Sequence, residues 1–116
     1  MIARIWHGWT TPDNADAYER LLRTEIFPGI LAKKVGGFER IELFRRPLGA
    51  EVEFVTVMWF ASWDAVKAFA GEDYEAAYVP ASARAVLRRF DDRSQHYEVR
   101  EQRGSSSAAW RRAPGA

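Results

Sequence analysis

Residues 51–61 read EVEFVTVMWFA, and this stretch decides the fold. Side chains alternate across an extended chain, so Val52, Phe54, Thr56, Met58 and Phe60 share one face and Val55, Val57 and Trp59 the other. β-Branched and aromatic residues dominate both sets, which favours a strand. A strand apolar on both faces must be covered on both. In so short a chain the helices can cover one face, and a second copy of the chain is the simplest cover for the other.

Working outward, Phe38–Arg46 reads as the preceding strand, joined by the turn Pro47-Leu48-Gly49-Ala50 and opened by the breaker Gly36-Gly37. Ahead of that, Thr11-Pro12 starts a helix, with threonine as N-cap and proline in the first turn. Ala15, Tyr18, Leu21, Leu22 and Ile26 form its apolar face, and Pro28-Gly29 bends or ends it. Ile2–Trp9 reads as the first strand. On the C-terminal side, Ser62-Trp63-Asp64 caps a second helix that carries Val66 and Phe69 inward and stops at Gly71. Tyr74, Ala77 and Tyr78 suggest a helical turn before Pro80. Ala83, Val86, Leu87 and Phe90 mark a further helical face, and Arg93–Arg100 is the fourth strand.

The order βαββαβ predicts a ferredoxin-like α+β domain. Its antiparallel four-stranded sheet is expected to pair with a second copy into a dimeric α+β barrel. The domain is expected over residues 1–101, with 102–116 as a disordered tail. The closing GSSSAAWRRAPGA holds one large apolar residue, Trp110, too little to order the segment against its entropy.

At 116 residues the chain has room for one domain, and its 47% hydrophobic content supplies one core. Seventeen basic and sixteen acidic residues leave a net charge of +1, which argues against nucleic acid or an anionic membrane as partner. The absence of cysteine excludes disulfides, thiolate nucleophiles and iron–sulfur clusters. No run approaches the length of a membrane span and the N-terminus lacks a signal-peptide pattern, so the expected location is cytoplasmic.

Most catalytic signatures are missing. Gly36-Gly37 after Lys33-Lys34 is neither a Walker loop nor a dinucleotide fingerprint. With only His7 and His96, a zinc site would need carboxylates from elsewhere, and no metal is expected. The arginine pairs at 45–46, 88–89 and 111–112 are dispersed and read as solvated surface. His7 stands apart: on the apolar strand IWHGW it needs a hydrogen-bond partner or a ligand. It is either a satisfied structural histidine or a base. Trp6, Trp9, Trp59 and Trp63 read as core or as a flat wall for an aromatic ligand. Arg45, among apolar neighbours, is either surface or an anion contact, and His96 is expected to be solvated.

The start IARIWHGWT with its capped helix, and the strand EVEFVTVMWF running directly into SWDAVKAFAG, resemble the antibiotic biosynthesis monooxygenase-like proteins over residues 1 to about 100. The resemblance implies a ferredoxin-like monomer pairing sheet to sheet, with a pocket between sheet and helices. Activities among such proteins include cofactor-independent oxygenation of polycyclic phenols and quinols, haem degradation and isomerase-type chemistry. The haem-degrading pattern needs an asparagine on the first strand, a tryptophan on the second helix and a histidine soon after. Trp6 or His7, Phe69 and Tyr78 stand at those positions here. A histidine carried near Phe69 by quinol-oxygenating relatives is also missing.

The leading expectation is a cofactor-free monooxygenase acting on an electron-rich aromatic. His7 would be its base, Arg45 its anion stabiliser, and Trp59, Phe69, Tyr78, Arg84 and Trp6 its substrate contacts, with no cofactor. The alternatives are a non-catalytic dimeric barrel that binds a small hydrophobic ligand, or an isomerase or cyclase on the same scaffold.

Overall fold

The computed structural model describes residues 1–104. Residues 101–104 form no regular structure, and the rest of the expected tail lies outside the described residues. The elements are β1 (Ile2–Thr10), α1 (Pro12–Leu21), a π-helical turn (Leu22–Ile26), α2 (Phe27–Ala32), β2 (Phe38–Leu48), β3 (Glu51–Phe60), α3 (Trp63–Ala70), α4 (Ala81–Arg84), β4 (Arg89–Phe90) and β5 (Gln95–Glu98). The sheet runs β2-β3-β1-β4, with β5 also on β1, and every pair is antiparallel. This is the ferredoxin-like α+β arrangement with five strands instead of four, because the last strand is split.

The split has a local cause. Arg88 N–H donates to the Trp9 carbonyl at 2.7 Å, so β1 captures the chain into an edge strand where the apolar spacing predicts helix to Phe90. One helical turn, α4, is all that forms there. At Asp91 the ladder breaks: its carboxylate accepts the His7 N–H at 3.0 Å in place of a backbone carbonyl. Pairing resumes only at Gln95, opposite Ile5.

α1 and α2 form one continuous helical arm through the π turn. Pro28 has no N–H to donate and crowds the preceding carbonyls. The wide turn directly before it accommodates this, and such turns recur at functional sites. Lining residues of the pocket described below, Leu22, Ile26, Phe27 and Ile30, come from this turn and its neighbours. α3 begins as its sequence predicts, with Ser62 Oγ accepting from Ala65 N–H at 3.2 Å, and ends at Gly71 with φ of 89°.

All helices pack on one sheet face. One core joins Tyr18 and Leu22 of the arm to Val52 and Phe54 of β3 and Ala83 of α4. The other joins Ile2 and Phe60 to Ala65 and Val66 of α3. Pairing of β1 with β3 sets Ile2 opposite Phe60, Arg4 opposite Met58 and Trp6 opposite Thr56, all toward the helices. Ile5, His7, Trp9, Val55, Val57 and Trp59 therefore face the other way, where no helix of the described residues covers them. None of these helices is long and apolar enough to cross a membrane.

Gly37 marks where α3 comes closest to the sheet. Its φ is +85°, and a Cβ there would stand 2.6 Å from that of Ala65. Gly37→Ala is expected to cost about 2 kcal/mol or more, from left-handed strain and displacement of α3 together. Gly36→Ala, which would meet nothing within 4 Å, is expected to be near neutral. Urea midpoints of the two variants check the contrast.

Candidate active site

Between the sheet and the helical arm lies a cavity of about 100 Å³, open on one side. Its walls are apolar: Trp6, Leu22, Ile26, Phe27, Met58 and Val79 among others. Trp6 is held in place by its Nε1–H donating to the Asp91 carbonyl at 2.9 Å and by stacking on Phe90. Tyr18 meets Phe54 edge to face, with centroids 4.9 Å apart.

One cation sits among these walls. Arg4 lines the cavity and is 6% exposed. Its Nη1 donates to the Tyr74 carbonyl at 2.5 Å and to His96 Nε2 at 3.1 Å. The guanidinium lies 5.6 Å from the Phe69 ring centroid. It makes no ion pair with a carboxylate among the described residues, and burial lowers its pKa from the ordinary arginine value. Tyr18, Thr56 and Ser94 add hydroxyls to the lining. Burial also pushes the Tyr18 phenol well above its usual value, so it remains protonated and able to donate.

His96 supports Arg4 from behind. Arginine can only donate, so His96 Nε2 is the acceptor and the ring carries its proton on Nδ1. That Nδ1 is fully buried without a partner among the described residues. Trp63 and Tyr74 pack on the ring. The expectation of a solvated His96 is therefore wrong: β5 pairing places it opposite Arg4, under aromatic cover. Burial first, then the Arg4 charge, hold its pKa below the usual 6.5. The unfolded chain then binds the extra proton more readily. His96 contributes stability that is present above about pH 6.5 and lost as pH falls through that value toward the lower folded pKa. The urea midpoint of the wild type is expected to fall between about pH 7.5 and 5.5 more steeply than that of His96→Gln. Parallel profiles would show that the ring is not held neutral.

The residues singled out from sequence are scattered by the fold. Trp6 and Tyr78 line the cavity, Tyr78 at its mouth and 87% exposed. His7 does not: its ring is on the opposite sheet face, stacked on Trp9, with Nδ1 2.7 Å from Asp91 Oδ2. A base facing the helices is thus ruled out for His7, because β1 alternation pairs it with Ile5 and Trp9 rather than with Arg4 and Trp6. Trp59 lies on that same far face, donating to Glu42 at 2.6 Å under the Arg40 guanidinium. Arg45 is on the helix side but is bound to Asp16 at 2.9 Å and Glu19 at 2.8 Å, at the sheet's outer end. Phe69 belongs to the second core, against Phe38 and Phe60, and reaches the cavity only through Arg4. Arg84 donates to the Val79 carbonyl at 2.8 Å, over the Phe90 ring, beside the cavity rather than in it.

The groups missed from sequence are Arg4, Tyr18, Thr56 and Ser94. The signal for Arg4 was its place two residues before Trp6 on a strand, which fixes both to one face. No histidine or carboxylate lines the cavity, and no cluster of three metal-binding side chains occurs among the described residues.

No family model and no curated protein matches the sequence. Solved structures do match. A Bacillus cereus protein assigned as an antibiotic biosynthesis monooxygenase superposes with a TM-score of 0.67 at 13% identity, over 91% of this chain and 97% of that one. A heme-degrading protein of Mycobacterium tuberculosis, solved with two hemes in its active site, gives 0.56 at 20% identity, over 90% and 100%. A variant of a cofactor-independent oxygenase from Streptomyces nogalater gives 0.53 at 16% identity, over 87% and 95%. The likeness covers 87–91% of the chain and shows the fold these structures have in common: the chain carries their ferredoxin-like α+β architecture.

Proposed function

We propose that this protein is a cofactor-independent monooxygenase that oxidises an electron-rich aromatic, a phenol, anthrone or quinol, with O2. The observation that carries this reading is an apolar, aromatic-walled cavity containing one buried cation, Arg4, with no carboxylate partner among the described residues. Such a site complements an aromatic anion. A deprotonated phenol or anthrone is itself the reductant: it gives one electron to O2, the substrate radical and superoxide combine, and the peroxide loses water. The net change converts a methylene and O2 into a carbonyl and water. The protein's part is to hold the anion against Arg4 and keep water from the ring. No general base is required if Arg4 favours the ionised substrate. This role passes to Arg4 from Arg45, and the deprotonating role assigned to His7 falls away.

A benzene ring fits a cavity on the order of 150 Å³. The enclosed space here, about 100 Å³, is smaller than that, so an aromatic ring would be held partly within it and would extend through the mouth past Tyr78. In this reading the protein works as a homodimer, two sheets packed by their uncovered faces.

Oxygen uptake without added cofactor, over anthrone, 1-naphthol and a naphthoquinol, tests the proposal. Uptake matching substrate loss one to one is expected, reduced about 10²–10³-fold in Arg4→Met, the scale for losing one anion-stabilising group. Rates equal to the protein-free background across the panel would overturn it. The absence of a base in the cavity favours a second reading, a module that binds an aromatic anion without turnover, and binding without oxygen uptake would select it. Hemin titration is expected to give no sharp Soret shift and no reductant-dependent bleaching, since no histidine reaches the cavity. Both signals together would place heme in this pocket instead.

A further inference from the structure

We infer that the cavity floor is a recognition site for a planar anion presenting two oxygens on one edge, such as a carboxylate or an ionised hydroxy-ketone pair. The inference rests on the reading of this cavity as the substrate site and narrows the substrate class. Arg4 is the starting point. Both of its hydrogen bonds leave from Nη1, one to Tyr74 and one to His96. Nε and Nη2 make none among the described residues. These two nitrogens form the side edge of the guanidinium, whose parallel N–H bonds match the two oxygens of a planar anion. A single phenolate oxygen would use half of that edge.

The hydroxyls point the same way. Tyr18, Thr56 and Ser94 are 1%, 6% and 4% exposed, and all line the cavity. None of their oxygens makes a hydrogen bond among the described residues. Buried polar groups normally have partners, and each exception asks for an explanation. Thr10 Oγ1 is sealed in the core with no partner, whereas these three are not fully buried and border the open space of the cavity. Four donors with unspent capacity, contributed by β1, α1, β3 and the segment before β5, thus converge in a cavity otherwise walled by hydrocarbon. An uncharged aromatic would leave all of them unsatisfied and would strand a buried cation. A two-oxygen anion neutralises the charge and takes up the donors together.

The Tyr74 carbonyl and His96 together hold Nη1 and so fix the orientation of the Arg4 guanidinium. As a neutral acceptor, His96 occupies Nη1 and turns the opposite edge away from itself. It is a positioning residue, with no contact to substrate.

Calorimetric titration of the full chain with benzoate, tropolonate and benzamide separates the possibilities without any turnover. Benzoate carries the two-oxygen edge outside the ring, tropolonate carries it on the ring, and benzamide is the neutral isostere of benzoate. At least one anion is expected to bind about 30-fold or more tighter than benzamide, on the order of a charge-assisted hydrogen-bond pair. The tighter of the two anions names the source, an aromatic acid or a hydroxy-ketone. In Arg4→Met the preference over benzamide should vanish. Thr56→Val and Ser94→Ala, which remove one hydroxyl each and leave the arginine in place, should each weaken anion binding about three- to tenfold and leave benzamide unchanged. Equal affinities for all three probes in the wild type, or anion affinity unaltered in every variant, would overturn the inference. Anion-selective binding with no oxygen uptake on any phenol sinks the oxygenase and leaves this site standing. Oxygen uptake with indifferent probes does the reverse.

Discussion

Replacing Val55 by lysine is expected to convert a dimer into a folded monomer of 13.3 kDa, half the light-scattering mass of the wild type. Val55 sits mid-sheet on the uncovered face, between His7 of β1 and Phe44 of β2. Phe44 and Tyr97, on strands of that face, are 51% and 55% exposed. With the half-buried Ile5, Val55 and Trp59 they give this uncovered face apolar area beside the charged pair Arg40 and Glu42, and exposed apolar area of this kind marks an interaction face. A lysine at its centre meets water in the monomer at small cost, because its stem lies along the sheet and its ammonium reaches solvent. In a sheet-to-sheet dimer each copy would bury an unpaired charge, costing about 3 kcal/mol or more. Dissociation should be enhanced at least about a hundredfold. An unchanged mass for Val55→Lys would mean that the two sheets do not meet on this face, and a wild-type mass of 13.3 kDa would mean that they do not meet at all.

Phe60→Ala is expected to bring a severe loss of stability. Phe60 is fully buried, and its ring lies 5.5 Å from that of Phe38 and 5.4 Å from that of Phe69. It closes the core between β2, β3 and α3, where Gly37 already brings sheet and helix into contact and leaves little freedom to collapse around a cavity. A buried Phe→Ala change costs about 3–5 kcal/mol. For a domain of this size that lowers the melting temperature by about 15–25 °C. Calorimetry checks the value. A drop of only a few degrees would show that α3 slides to fill the space, and would then make the Gly37 contact soft rather than rigid. Because Phe69 also underlies Arg4, the same variant should weaken anion binding in the cavity even where it remains folded.

Strand alternation and helix capping are legible in one dimension. Ser62 caps its helix through its side chain and Gly71 stops it, while Thr11 stands at the N-cap position without a side-chain bond and Pro12 begins the helix. The two strands around the Pro47–Ala50 turn pair as their spacing implies, with Pro47 and Leu48 drawn into β2 and the turn reduced to Gly49-Ala50. Where local signals misled, a long-range partner was the reason. The spacing of Ala83, Val86, Leu87 and Phe90 is helical, yet the helix stops after Arg84 and the edge of β1 takes the backbone at Arg88, leaving Arg89–Phe90 as strand. The helical arm is continuous across Pro28 because a π turn absorbs the missing N–H, and proline alone does not reveal that outcome.

For the site, alternation along β1 and β3 is enough to sort residues into two sets: Arg4 with Trp6 and Ile2, Thr56 with Phe54 and Met58, His7 with Ile5 and Trp9. It cannot say which set meets the helices, since both sets are apolar and hydrophobic burial has no direction of its own. His7, the polar residue deep in an aromatic run, therefore draws the reading of the site, and Arg4 near the start of the strand draws none. Packing of the arm against Phe54 and of α3 against Phe60 made the choice, placing Arg4 in the cavity and His7 beneath the uncovered face. The pairing of β5 with β1 then brought His96 to Arg4 across 92 residues of sequence. The sequence by itself determined the elements from β1 to α3, their order and which side chains travel together. Only the tertiary structure decided which side is inside, and so placed a buried arginine in the wall of the cavity.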